Sequence, residues 1–138
     1  MISNDEAIGI LTDMKKVSDP HVSSVNNEIE TGRPIIADRA FGRFWQGKVD
    51  GYEEIQAAYK QLYEIISVYD NPVETVKQAK AFLDSTLVTL NVEIRKCEPL
   101  VKDPTDARYC EGKMIGLRNF QTWFEKLLDP LNLIELPA

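Results

Sequence analysis

The sequence predicts an all-α protein, an antiparallel helical bundle of three long helices over about 51–69, 72–98 and 104–128 with shorter helices ahead of them. Three observations carry this expectation. Val76, Ala79, Leu83, Leu87, Leu90, Ile94 and Cys97 recur three and four apart with charged residues between them, which draws one apolar stripe along a long helix. Asp70-Asn71-Pro72 leaves almost no chain between that helix and the one before it, so the two should lie adjacent and antiparallel. A turn between Pro99 and Asp103 brings matching stripes together: Leu83 should face the stretch from Phe120 to Phe124, and Cys97 should lie opposite Cys110 or one turn away.

The elements follow from local chemistry. Ser3-Asn4-Asp5-Glu6 has the form of a capping box, and Ala7, Ile8, Leu11 and Met14 continue at helical spacing until Ser18, ahead of Asp19-Pro20. Pro20 can open a second, short helix through Val22, Val25 and Ile29, which Gly32 would close. After Arg33-Pro34, the residues Ala37, Ala40, Phe41, Phe44 and Trp45 share one face of a third short helix, weakened by Gly42 and ended by Gly47. Asp50-Gly51-Tyr52-Glu53 then starts the first long helix, whose stripe runs Tyr52, Ile55, Tyr59, Leu62, Ile66, Tyr69 while Tyr63 lies off it. Asn71 caps the next helix, with Pro72 in its first turn and Glu74 where the helix dipole favours a carboxylate. Pro99 stops or kinks that helix near Glu98, and Asp103-Pro104 opens the last one, with Asp106 in its first turn. Its stripe is Ala107, Cys110, Met114, Leu117, Phe124 and Leu128. The whole chain, 1–138, reads as one domain, with 131–138 an extended docking tail, and shows neither an internal repeat nor a low-complexity linker.

Composition narrows the function. A net charge of -6 and a pI near 4.8 disfavour a phosphate-neutralising protein, so nucleic acid is not an expected partner. No apolar run approaches the roughly 20 residues that span a bilayer, and Asp5 and Glu6 replace the basic start of a signal peptide, which together point to the cytoplasm and to no membrane partner. Cys97 and Cys110 read as thiols in a helix seam. His21 has no second histidine for a metal site or a triad, and the sequence has no glycine-rich phosphate loop, nucleophile elbow or Glu-x-x-His pair. The expectation is a non-enzymatic protein with no catalytic, metal or cofactor-binding residues, no cofactor and no small-molecule ligand.

Two features suggest interfaces. Gly112 and Gly116 stand four apart inside a helix, where each costs about 1 kcal/mol relative to Ala; they form a flat groove for another backbone, from a partner, a second subunit or another helix of this chain. The stretch from Arg33 to Lys48 is basic, and within it Arg39 and Arg43 share a face near Phe41, Phe44 and Trp45; arginine among aromatics is the composition of an interface hot spot, or of rings in a core beside locally paired charges. The expected role is therefore self-association or binding of a protein partner through Arg39, Arg43, Trp45, Gly112 and Gly116. The alternative is an inhibitor or adaptor that sits on a host enzyme or complex, its acids from Asp50 to Glu64 imitating nucleic acid.

Residues 103–134 begin with Asp-Pro, pass through Glu111-Gly112-Lys113-Met114-Ile115-Gly116-Leu117-Arg118 and end in Asp-Pro-Leu-Asn. This stretch resembles the closing helix of small helical proteins encoded by tailed phages in virion or accessory modules. The resemblance covers the last quarter of the chain. It implies a viral structural protein without enzymatic activity, resident in host cytoplasm or virion, and it transfers no binding residue.

Overall fold

A computed structural model describes residues 1–102 and 106–138. The protein is all-helical, and no strand occurs among the described residues. Four helices form it: α1 (Asn4–Gly32), α2 (Gly42–Ile66), α3 (Pro72–Cys97) and α4 (Ala107–Leu128), with 3₁₀ turns at Arg33–Ala37, Glu98–Lys102 and Asp129–Leu133.

The expected caps are present. The Ser3 hydroxyl accepts from the Glu6 backbone N–H while the Glu6 side chain accepts from the Ser3 backbone, and Asn71 accepts from the Glu74 N–H with Pro72 in the first turn. The second half of the bundle keeps its expected bounds, with α3 ending at Cys97 and α4 starting after Asp106. The proposed opening of α4 at Asp103-Pro104 lies outside the described residues.

The first half differs from the sequence expectation. Two short helices were expected before Gly32, yet α1 runs unbroken through Pro20. Pro20 is exposed, so the carbonyl that loses its donor faces water, while Met14 and Ser18 before it and Val25 and Ile29 after it keep one buried line. Gly47 and Gly51 likewise neither end nor weaken a helix: α2 passes through both, which merges the short third helix with the long fourth one. That helix stops at Ile66, leaving Tyr69, placed on the core stripe by spacing, 45% exposed in the turn.

The absence of a repeat is the largest correction. The chain folds as two copies of one helical hairpin, offset by 65 residues, the separation of Gly42 and Ala107 at the starts of α2 and α4. The 3₁₀ turn Arg33–Ala37 recurs as Glu98–Lys102, and α1 and α3 end at the equivalent residues Gly32 and Cys97. Buried positions recur too: Leu11, Met14, Val25 and Ile29 of α1 return as Val76, Ala79, Leu90 and Ile94 of α3. Each hairpin is tied by the same two pairs. Lys48 meets Glu28 at 3.1 Å in the first, and Lys113 meets Glu93 at 3.0 Å in the second. The Gln56 amide donates to Asn26 at 2.8 Å, and the Gln121 amide to Asn91 at 2.6 Å.

The two copies meet through α2 and α4, which pack together more extensively than either does with its neighbour in sequence. The contact is reciprocal, as a two-fold axis between equivalent helices requires. A methyl group on Gly47 would land on the carbonyl oxygen of Tyr109, and one on Gly112 would land on that of Phe44. One turn further, Gly51 and Gly116 face each other. Residue numbers rise together along α2 and α4 through these contacts, down to Tyr59 and Phe124, whose rings meet edge to face at 5.1 Å. The expected pairing of α3 with α4 also holds, with Phe82 at 6.4 Å from Phe124 and Glu93 on Lys113. One contiguous core draws on all four helices, and Leu131 of the tail is buried in it with Ile134 and Leu136 against its edge.

Candidate functional site

Gly112 and Gly116, nominated as a docking groove, are buried and filled from within the chain by α2. No lateral space is left there for a second backbone. Their mates Gly47 and Gly51, read from the sequence as a stop and a start, supply the other half of the contact. Close approach of this kind sets Gly47, Gly51 and Gly112 against carbonyl oxygens of the facing helix, where Cα–H contacts offset part of the glycine penalty.

The basic stretch is largely matched by acids of the same molecule. Arg33 reaches Glu53 at 3.1 Å, Arg43 reaches Asp106 at 2.7 Å, and Lys48 holds Glu28. Arg43 also lies 4.5 Å above the Tyr109 ring. Trp45 is half-buried, with the Lys48 ammonium 4.3 Å from its ring on one side and the Gly32 backbone pressed against it. Arg39 does not share a helix face with Arg43, because it lies exposed in the turn before α2 begins. Phe41, 62% exposed, is the open aromatic of this end of the molecule. Two of the acids put forward as an imitation of nucleic acid are engaged as well, Glu53 with Arg33, and Asp50 with the Tyr109 hydroxyl at 2.6 Å and the Gln46 amide at 2.8 Å, while Glu64 is exposed. Burial and that bond to Asp50 push the Tyr109 phenol up to about 12.

His21, on α1, is half-buried. Its ring stacks flat on Trp123 at 4.3 Å, and its Nδ1 lies 3.1 Å from the Tyr59 hydroxyl. Burial, and to a smaller extent the Lys126 charge, lowers its pKa and so favours the neutral ring. Tyr63, expected off the stripe, is half-buried and donates to Asp19 at 2.6 Å, a bond that holds the Asp19 carboxyl below its ordinary range. Both cysteines are buried free thiols, and burial pushes that of Cys97 up. Among the described residues, no three His, Cys, Asp or Glu side chains converge as a metal site would need.

One concavity lined by apolar side chains and carboxyls was not nominated from the sequence. A groove of about 460 Å³ runs between α2 and α3, walled by Ala58, Phe82, Leu90 and Phe120 and edged by the hydroxyls of Thr86 and Thr89. Glu54 and Glu93 stand at its end. Lys113 lies 3.0 Å from Glu93 and 3.8 Å from Glu54, and one Glu54 oxygen is buried without a hydrogen-bond partner. Burial first, then the hydrogen bond and charge of Glu93, raise Glu54 to about 7. A carboxyl that exchanges its proton near neutrality, set in an apolar groove, is the kind of group that binding sites contain.

The hairpin repeat gives this groove a counterpart between α4 and α1. There Trp123 and His21 stand at the positions of Ala58 and Thr86, and their stack fills the space. Asn119 stands where Glu54 does, its amide donating to the Tyr52 hydroxyl at 2.9 Å. Laying residues 4–66 over 69–131 would have exposed both differences in the sequence. The identical residues, such as Asn26 and Asn91 or Gly47 and Gly112, are too scattered to announce the repeat without the offset. No family model, characterised protein or solved structure matches this chain.

Proposed function

We propose that the protein is a non-enzymatic interaction or assembly component that works as a homo-oligomer, and that its helices form a bundle in which successive helices run antiparallel, α2 and α4 run parallel, and the outward side of α3 faces a second copy. One observation supports this above the rest. Ala81, Ser85, Val88 and Val92 recur at helical spacing on α3 and all are exposed, Val88 by 67% and Val92 by 47%, while Ala79, Leu83, Leu87 and Leu90 fill the core from the same helix. A helix with apolar residues on both sides has one stripe more than its own bundle can cover. Self-complementary packing of that stripe is the simplest way to bury it. The likeness of residues 103–134 to small tailed-phage proteins is the reason to propose a virion or accessory module as the setting of such an assembly. Among the described residues, no helix is long and apolar enough to cross a membrane.

Light scattering at several concentrations tests the reading. The expected result is a mass that is a multiple of the 15.7 kDa chain, falling to the single chain in Val88→Asp and in Val92→Asp with helical circular dichroism unchanged. A single-chain mass for the wild type throughout the range would overturn it.

A further inference from the structure

We propose that the groove between α2 and α3 binds an aromatic amine, a flat ring system of about indole size carrying a protonated nitrogen. The molecule supplies its own template for the ring. Across the approximate two-fold axis, the matching space between α4 and α1 holds the Trp123 indole stacked on the His21 imidazole at 4.3 Å with the planes 7° apart. On the open side, the smaller Ala58 and Thr86 stand in place of that pair and line the groove, whose other walls stay apolar, with Phe82, Leu90 and Phe120 at the positions of Val17, Val25 and Ile55. A flat ring entering there exchanges water for contact with Phe82, Leu90 and Phe120.

The end of the groove supplies the charge preference. Three carboxyl groups, Glu54, Glu93 and the nearby Asp50, surround the single Lys113 ammonium, and the Glu54 Oε2, 3.8 Å from Lys113 and without a hydrogen bond, can accept one from an incoming N–H. The counterpart groove has the amide of Asn119 in that position. Both departures from the repeat, the missing stacked pair and the added carboxyl, therefore fall in one groove. Together they specify a ring and a cation at adjacent points. The α3 stripe proposed for self-association meets this groove at Ser85, a residue that the inference does not use.

Tryptamine is the probe, with indole-3-acetate as the probe of opposite charge, titrated into the full chain and followed by amide NMR shifts. Tryptamine is expected to shift the resonances of Ala58, Thr86 and Leu90, with affinity at least about tenfold above that of indole-3-acetate. Glu54→Gln should reduce tryptamine binding several-fold and leave indole-3-acetate no weaker. Ala58→Trp, which imitates the filled groove, should abolish the shifts. Should that variant fail to fold, the wild-type comparison of the two probes decides by itself. Equal affinity for both probes, tryptamine shifts elsewhere in the molecule, or no shift at millimolar tryptamine overturns the proposal.

Discussion

Ser18 shows how much a single side chain can reveal. It is fully buried on α1, its hydroxyl finds no partner, and the equivalent position in the second hairpin is Leu83. An unsatisfied buried hydroxyl costs desolvation with no return, so Ser18→Ala should stabilise the protein by about 1 kcal/mol in urea unfolding. Glu54 gives a second test with a defined sign. Its carboxyl is raised from 4.5 to about 7, so the folded chain binds a proton more tightly than the unfolded one. Stability should therefore fall as pH climbs from ~4.5 to ~7 and level off above, and Glu54→Gln should flatten that decline in the melting temperature. A wild-type curve that rises across the same interval would show that Lys113 holds Glu54 ionised in the folded state.

At the scale of the helix, glycine has opposite meanings at different places. Gly9 on α1 meets nothing within 4 Å of an added methyl group, so Gly9→Ala should raise stability by about 1 kcal/mol through helix propensity alone. Gly47→Ala and Gly112→Ala carry the same propensity gain but drive a methyl group into the backbone of the facing helix. Each should destabilise by about 2 kcal/mol, because α2 and α4 must separate and the core beneath them loosens. Equal Tm values for Gly9→Ala and Gly47→Ala would contradict the close α2–α4 contact. The helices themselves were legible to different degrees. α3 was readable from its cap, its stripe and Pro99, since all three agree. α1 and α2 were misdivided because Pro20, Gly47 and Gly51 are local breakers that packing overrides: one faces water and the others admit a neighbouring helix.

The whole molecule is a pair of related hairpins whose near-symmetry makes paired mutations informative. Glu28→Gln leaves the Lys48 ammonium with the faces of Trp45 and Tyr52 and no carboxylate within ion-pair distance. Glu93→Gln leaves Lys113 with Glu54 at 3.8 Å, and losing the competing carboxylate lets Glu54 ionise and take over. At pH ~8 Glu28→Gln should thus be the more destabilising of the two, measured as the difference in urea midpoints. The candidate site follows the same logic. Of the nominated residues, Gly112 and Gly116 lie inside the α2–α4 contact, Arg43 is exposed but pairs with Asp106 and the Tyr109 ring, Trp45 is half-buried beside Lys48, and Arg39 remains exposed. The groove was invisible because it is defined by residues far apart in sequence, and by what Ala58 and Thr86 lack compared with Trp123 and His21. A missing side chain leaves no motif.

By itself, the sequence determined the helical class, the caps at Ser3 and Asn71 and the buried lines of α3 and α4, because spacing and capping act within a few residues along the chain. Only the tertiary structure decided that the glycines of α2 face those of α4, that one hairpin is used twice, and that one of two equivalent grooves stands open. Those outcomes depend on how closely two backbones approach, and that distance is set by side chains from both helices at once.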